Sequence, residues 1–385
     1  MVISDEQYRQ FRARTHHLDQ RLPAQQLLTA AGTIGFQNSP PGAWEQAVFN
    51  RIADITAAEL RAMLGEQKSL LQAWSFRGAP AVFPTQDAAV FLNALVAEKN
   101  EDPWIYTAGL VPSLPQLGID YTTLLTVVGQ ATKAVLADKT ITGKGQLDAA
   151  IAEAVAADLP AAWQQSSPYG AKQTLGEAAV SFMLRPASFQ GLVVFGKRSG
   201  QAPTFTSPQH WGVEWAQQSA AVHELVWRYV HAYGPTNRQE FTKWLGCSTA
   251  QGQRLWALIA GEATAVDAGS VLTADLSEFQ KTVVPAGTLR LLGPHDPYLD
   301  ANGRDLLLPD KKLHRKVWRT VGNPGSVFLD GQIVGVWRQR KQGKQLSMTV
   351  DSFRPLTGEL KQKITEQAEM YAVFLKMALK ELLYQ

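Results

Sequence analysis

Between Val222 and Leu276 the hydrophobic pattern changes period, and that change restricts the folds open to the chain. In VHELVWRYVHAYG the apolar residues Val222, Leu225, Val226, Tyr229 and Val230 recur at helical spacing, which predicts one amphipathic helix. Gly234 and Pro235 end it, because proline cannot continue a helix. NRQEFTKWLG then predicts a short second helix stopping at Gly246, and Ser248 is placed to cap a third, STAQGQRLWALIAG. That third helix is expected to bury Leu255, Trp256, Leu258 and Ile259 and to expose Gln251, Gln253 and Arg254. EATAVDAGSVLTADL follows as two short strands around a glycine-containing turn. Three helices and a hairpin in that order make a winged helix.

A weaker copy of the pattern precedes it. YTTLLTVVGQATKAVLAD predicts a helix with Leu124, Leu125, Val128 and Val135 inward, ITGKGQLDAAIAEAV a turn and a second helix, and LGEAAVSFMLRP a third. GLVVFGKRSGQAPTFT then places two β-rich runs on either side of GKRSGQ, a basic, glycine-rich tip. Lys197 and Arg198 at such a tip face either solvent or DNA phosphate. Since Gln251, Gln253 and Arg254 are a modest base-reading set, contacts to the DNA backbone are expected to outweigh sequence reading.

At 385 residues the chain exceeds what one core organises, so two to four domains of roughly 100 residues each are expected. Punctuation at Pro112 and Pro115, around Ser166 to Tyr169, and at Ser207-Pro208 divides it into blocks 1–115, 116–211, 212–276 and 277–385. The single Cys247 forms no internal disulfide and fits no zinc spacing, which favours a reducing compartment. The polar start MVISDEQYRQFRARTHHLDQR has no apolar signal core, and no run of about 18 apolar residues occurs, so a cytoplasmic location away from membranes is expected.

Several chemistries fall away on motif grounds. No GxxxxGK[ST] and no strand-linked GxGxxG occurs, which removes the nucleotide-cofactor readings. The seven His are scattered, with His16 and His17 adjacent and so on different sides of a helix, and neither HExxH nor GxSxG is present. No metal and no other cofactor is expected. Net charge is only +3, but Arg304, Lys311, Lys312, Arg315, Lys316, Arg319, Arg338, Arg340, Lys341 and Lys344 face only Asp305, Asp310 and Asp330 in their stretch. This basic block is either a solvated face or a surface that tracks phosphates. In VGVWRQR a strand would turn Trp337 to one side and put Arg338 and Arg340 together on the other.

Gln37, Asn38 and Ser39 lie at the end of an apolar, helix-like run and before two prolines, in LLTAAGTIGFQNSPPGAW. The prolines force a fixed turn, in which the amides either satisfy backbone or are presented for chemistry.

FQNSPPGAW, with the later WSFRGAP, resembles the paired N-terminal motifs of the winged-helix crosslink-repair DNA glycosylases. LRLLGPHDPYLDANGRDLLLP, SVFLDGQIVGVWRQR and VDSFRPLTGELKQKITEQAEMYAVFL resemble the closing region of the same family in order and spacing. The resemblance covers essentially the whole chain. It implies an α+β protein of three tandem winged helices around a basic DNA channel: 1–115, carrying the Gln37 motif, then 116–211 and 212–276, with a basic, β-rich region and a closing helix over 277–385. It further implies a monofunctional DNA glycosylase that acts on N7-alkylated or crosslinked purines in duplex DNA as a monomer. The family's Gln-x-Gln or Gln-x-Asp motif, which positions the attacking water, maps onto Gln37 and Ser39.

Two departures stand out. Ser39 is shorter than the amide or carboxylate it replaces, so either Asn38 or a neighbouring group compensates, or catalysis is weak or lost, and if lost a non-catalytic, regulatory or lesion-shielding DNA-binding protein remains. RGAPA keeps Arg77 and Gly78 but has Ala81 where the family commonly has His. Asp296 and Tyr298, with Arg304 close by, are expected either to line the DNA channel or to orient a neighbouring basic group; otherwise Asp296 caps a turn and Tyr298 fills core. A neutral Gln is no strong base. It can orient water and stabilise developing charge, which suffices only when the leaving base is already cationic.

Overall fold

The computed structural model describes residues 3–101, 103–104, 107–156, 159–170, 172–216, 218–300 and 303–385; Ala301 and Asn302 of the HDPYLDANGR motif lie outside them. The chain is a mixed α+β protein that forms two compact units, one from residues 1–62, 227–240 and 259–385 and one from 63–226 and 241–258. No helix among the described residues is long and apolar enough to cross a membrane.

In chain order the described residues run three times through helices followed by a hairpin. The first run is Leu27–Ile34, Ala43–Arg51 and Ala57–Gly65, then strands Leu70–Trp74 and Pro80–Pro84. The second is Tyr121–Val135, Lys144–Val155 and Leu175–Phe189, then Val194–Phe195 and Thr204–Thr206. The third is Ala221–Tyr233, Arg238–Leu245 and Thr249–Ala257, then Ala263–Val266 and Gly269–Leu272.

The first-named unit rests on a five-stranded sheet in the order Ala378–Tyr384, Gln345–Ser352, Gln332–Gln342, Gly325–Leu329, Leu289–Leu292. Its strands are antiparallel except the last in sequence, which runs parallel to Gln345–Ser352. A parallel return needs a crossover, and helix Gly358–Phe374 supplies it, capped by Thr357, whose side chain accepts from the Leu360 N–H. Tyr371 on this helix packs edge-on to Trp337, with ring centroids 6.0 Å apart. Elsewhere Leu292, Phe328, Ile333 and Val336 gather Tyr298, Leu307 and Val317 into a second core. Gly325 permits close strand packing: a Cβ there would meet the Trp337 indole at 2.3 Å, while the Trp337 Nε1 donates to the Leu292 carbonyl at 2.9 Å. The long helix at the start, Asp5–Thr15, is closed by a capping box between Ser4 and Gln7.

The second unit packs Tyr121–Val135, Lys144–Val155 and Leu175–Phe189 around Leu124, Val128, Leu147, Ile151, Met183 and Trp163. Leu125 and Val135, expected inward, pack against this core from its margin. Asp120 and a Thr174–Glu177 capping box start two of the three helices.

On helix Thr249–Ala257 and at its end several expectations need correction. Leu258, the residue that caps the helix end, is exposed and Trp256 is half-buried, whereas Leu255 and Ile259 are buried. Gln251 is fully buried rather than presented, its Nε2 donating to the Leu95 carbonyl at 3.0 Å. Arg254 is held by Glu101 in two bonds of 2.7 and 3.0 Å, which leaves Gln253 as the exposed member of the expected base-reading set.

Candidate functional site

Helix Leu27–Ile34 ends at Gly35, whose φ of 71° turns the chain into the two-residue strand Phe36–Gln37. The half-buried Gln37 side chain makes a single long bond, Nε2 to the Ser39 carbonyl at 3.3 Å, and among the described residues its Oε1 has no partner. Asn38 differs. It is buried, and its Oδ1 accepts from the Gly42 N–H at 2.7 Å, closing the SPPG turn around a cis Ser39-Pro40 bond. Ser39 is exposed. Of the three expected catalytic residues, one amide is therefore presented, one is consumed by the turn, and the hydroxyl stands at the rim.

The turn runs into helix Ala43–Arg51, which is pinned by polar contacts rather than by grease alone. Gln46 Nε2 and Asn50 Nδ2 both donate to the Leu291 carbonyl, at 3.1 and 3.0 Å. At the helix end Arg51 is fully buried and donates to both carboxylate oxygens of Asp296, at 2.9 and 2.7 Å, and to the carbonyls of His16 and Ala47. Its guanidinium also lies over the Phe36 ring, 5.3 Å from the centroid. Phe36 is the residue before Gln37, so this ion pair fixes the floor from which the presented amide projects.

Asp296 and Tyr298 are thereby placed inside the unit and not on a DNA-facing surface. Both are buried: Asp296 is tied to Arg51 and also caps the turn at the Tyr298 N–H, and the Tyr298 hydroxyl donates to the Gly331 carbonyl at 2.7 Å. Asp296 thus does orient a basic group and cap a turn, but the basic group, Arg51, lies 245 positions away in the chain. His16 and His17 line the same region. Burial, followed by nearby Arg side chains, holds His16 well below its ordinary value, and burial, with Arg51 and His231, takes His17 down to about 4. Both are neutral near pH 7.

Arg338 and Arg340 emerge together on one face of strand Gln332–Gln342, opposite Thr349 and Ser347 of the neighbouring strand, while Trp337 faces inward. Beside them a groove of about 310 Å³ is lined by Arg315, Lys316, Arg319, Arg338, Thr349 and Asp351, with Lys316 paired to Asp351 at 3.0 Å. Four cationic side chains and one acidic one line it, so its charge is predominantly positive. Arg315, Lys316 and Arg319 were legible only as members of a basic run; the fold gathers them beside Arg338. Arg304 is exposed and lies over the Trp318 ring, at 5.0 Å.

In the other unit Lys197 and Arg198 occupy an exposed hairpin tip, as expected, with Lys197 in a surface pair with Glu66 at 3.3 Å and Arg198 donating to the Gln201 carbonyl. Arg77 adopts φ 55°, packs against Gly246 and donates to the Trp244 carbonyl at 2.6 Å. It lines a cleft with Gly78, Tyr169, Gln173, Phe182 and Arg185. Cys247 is buried, and burial pushes its thiol up to about 12, so it is no nucleophile.

Comparison with known proteins supplies a context for this geometry. The sequence model of the family described as DNA glycosylase AlkZ-like matches residues 30–374. A relative from Streptomyces sahachiroi, an interstrand DNA cross-link repair glycosylase, is 30% identical over 168 residues, which is 40% of this chain and 45% of the relative. The match thus spans less than half the length of that relative. The solved structure of Streptomyces sahachiroi DNA glycosylase AlkZ is similar in fold, with a TM-score of 0.77 at 20% identity over 100% of both chains.

Proposed function

Because the chain belongs to the AlkZ-like DNA glycosylase family, we propose that it is a monofunctional DNA glycosylase hydrolysing the N-glycosidic bond of N7-alkylated or crosslinked purines in duplex DNA. The observation that carries the reading is the Gln37 amide: within the matched region it projects from a rigid floor with its Oε1 unspent. On this reading the Oε1 accepts a hydrogen bond from a water and aims its oxygen at the anomeric carbon. The C–N bond breaks with its electron pair passing to the cationic purine, which leaves neutral, while the water oxygen bonds to the sugar and its proton is released to solvent. Gln37 contributes position and electrostatics and no proton abstraction. Asn38 acts as a positioning residue through the Gly42 turn.

In this proposal the DNA-contacting residues are Arg338, Arg340 and Arg304, and, each considered within its own unit, Lys197, Arg198 and Arg77. The three helix-and-hairpin runs are winged helices belonging to the blocks 1–115, 116–211 and 212–276, with 277–385 supplying the basic sheet, and the protein works in the cytoplasm as a monomer.

Base release from a duplex bearing one N7-methylguanine, under single-turnover conditions, tests the reading. Abasic product from the native protein, lost in Gln37→Ala, supports it. Salt-dependent binding without base release by either protein leaves the second reading, a DNA-binding protein in which Ser39 marks lost catalysis.

A further inference from the structure

The cleft around Arg77 carries an arrangement that the water-positioning site does not use. Its volume is about 290 Å³, and it is lined by Arg77, Tyr169, Gln173, Ser181, Phe182 and Arg185. Tyr169 is 38% exposed, and its ring meets Phe182 edge-on with centroids 5.2 Å apart. Its hydroxyl is anchored to the Gly109 carbonyl at 2.8 Å and to Ser113 Oγ at 2.7 Å, which fixes the ring at the rim. Behind the wall, Lys144 Nζ reaches Asp148 at 2.7 Å and Ser181 Oγ at 2.8 Å, and Lys144 and Arg185 each lie 5.9 Å from the Trp74 ring. Arg77 and Arg185, which donate to the Trp244 and Ser181 carbonyls, thus stand in the cleft wall beside an oriented aromatic pair, with the Lys144–Asp148 pair behind it.

That combination is the chemistry of a single nucleotide: a flat π-face for the base and guanidinium groups for the phosphate. The volume lies just below the roughly 300–1,000 Å³ of small-ligand pockets, a size for no more than one nucleotide and far too small for a duplex. We propose that this cleft holds one unpaired nucleotide of a DNA strand, its base against Tyr169 and Phe182 and its phosphate at Arg77 and Arg185. The proposal deepens the DNA-acting reading, on which it rests, by adding a second point of engagement, in the unit formed by residues 63–226 and 241–258.

The test is fluorescence anisotropy of a labelled single-stranded ten-nucleotide DNA with the full chain, over a salt series. Tyr169→Phe keeps the ring and is expected to bind within about twofold of the native protein, whereas Tyr169→Leu keeps apolar volume without a flat face and loses about fivefold or more. Arg185→Gln is expected to lower the slope of log affinity against log salt by about 0.7, one phosphate contact to a single strand. Unchanged affinity in Tyr169→Leu together with an unchanged slope in Arg185→Gln overturns the proposal. So does saturable binding of free deoxyadenosine monophosphate that these substitutions abolish while the oligonucleotide affinity stands, since the cleft then serves a free nucleotide. Base release from the N7-methylguanine duplex is measured in parallel. A native protein that releases no base but shows the expected Tyr169 and Arg185 effects sinks the glycosylase reading and keeps the cleft, and the reverse result does the opposite.

Discussion

Arg51 and Asp296 form a two-bond ion pair, at 2.9 and 2.7 Å, between side chains that are each 1% exposed. Two charges removed from water tolerate no missing partner, so Asp296→Ala is expected to cost about 3–5 kcal/mol of stability. Arg51→Met with Asp296→Leu together, which removes both charges and restores apolar volume, recovers most of it. Urea unfolding of the single and double variants checks this, and a single variant as stable as the native protein would contradict it.

Gln37 and Asn38 are neighbours with opposite expected profiles. Gln37→Ala leaves stability within about 0.5 kcal/mol, as a half-buried group with one long bond should, yet slows base release on the order of 10²-fold. Asn38→Ala strands the Gly42 N–H and costs about 1–2 kcal/mol, so its loss appears first in the thermal midpoint. Paired melting curves and single-turnover rates separate the two. Equal destabilisation by both substitutions would remove the distinction drawn here.

Arg338 and Arg340 share an open sheet face, so neutralising both as Gln is expected to reduce the salt slope of duplex binding by about 2, with affinity falling alike on all sequences. The readout is filter binding or anisotropy between 50 and 200 mM salt, roughly the range in which counterion release dominates. A sequence-dependent loss would instead make these residues base readers.

The buried His pair sets a pH response. His17 titrates near 4 in the folded protein against 6.5 unfolded, so below pH 6.5 the unfolded chain binds a proton that the folded chain refuses. Stability is therefore full above pH 6.5 and declines as pH falls toward 4, by about 3 kcal/mol from His17, and His16 adds in the same direction. His17→Asn, which tolerates the φ of 54° at that position, is expected to flatten the profile. Denaturant midpoints at pH 7.5 and 5 measure it, and identical slopes in both proteins would exclude His17 as a source.

Cys247, with its thiol pushed up to about 12, is expected to stay unmodified by a thiol-reactive disulfide reagent at pH 8 until the protein is unfolded. Rapid stoichiometric labelling of the native chain would show that the site opens.

Much of the helical order was legible because period and caps agree: Ser248 caps Thr249–Ala257, and glycine with proline ends Ala221–Tyr233. What escaped reading depends on distant partners. Gln251 looked like a surface amide until the Leu95 carbonyl claimed it, and the basic group that Asp296 orients could not be named as Arg51 from the sequence. Strand Ala378–Tyr384 gave no alternation to read, since it lies at the sheet edge with most of its side chains exposed. Lys380 and Glu381 there suit an edge that must not recruit another strand. In the candidate site, position 37 was legible from the motif, whereas the division of labour between Gln37 and Asn38 required the Gly42 bond.

The unit that carries Gln37 is drawn from three stretches separated in the chain, and this orders its birth on the ribosome. Residues 1–62, bearing Arg12 and Arg51, leave the tunnel well before the sheet and before Asp296, whose carboxylate lies 245 positions beyond Arg51. The stretch 63–226 is complete much earlier and can collapse onto its own core as it leaves the tunnel. The Gln37 amide thus gains its floor only once Asp296 has been made, and a chain terminated before that point carries the Gln37 motif without the support that aims it.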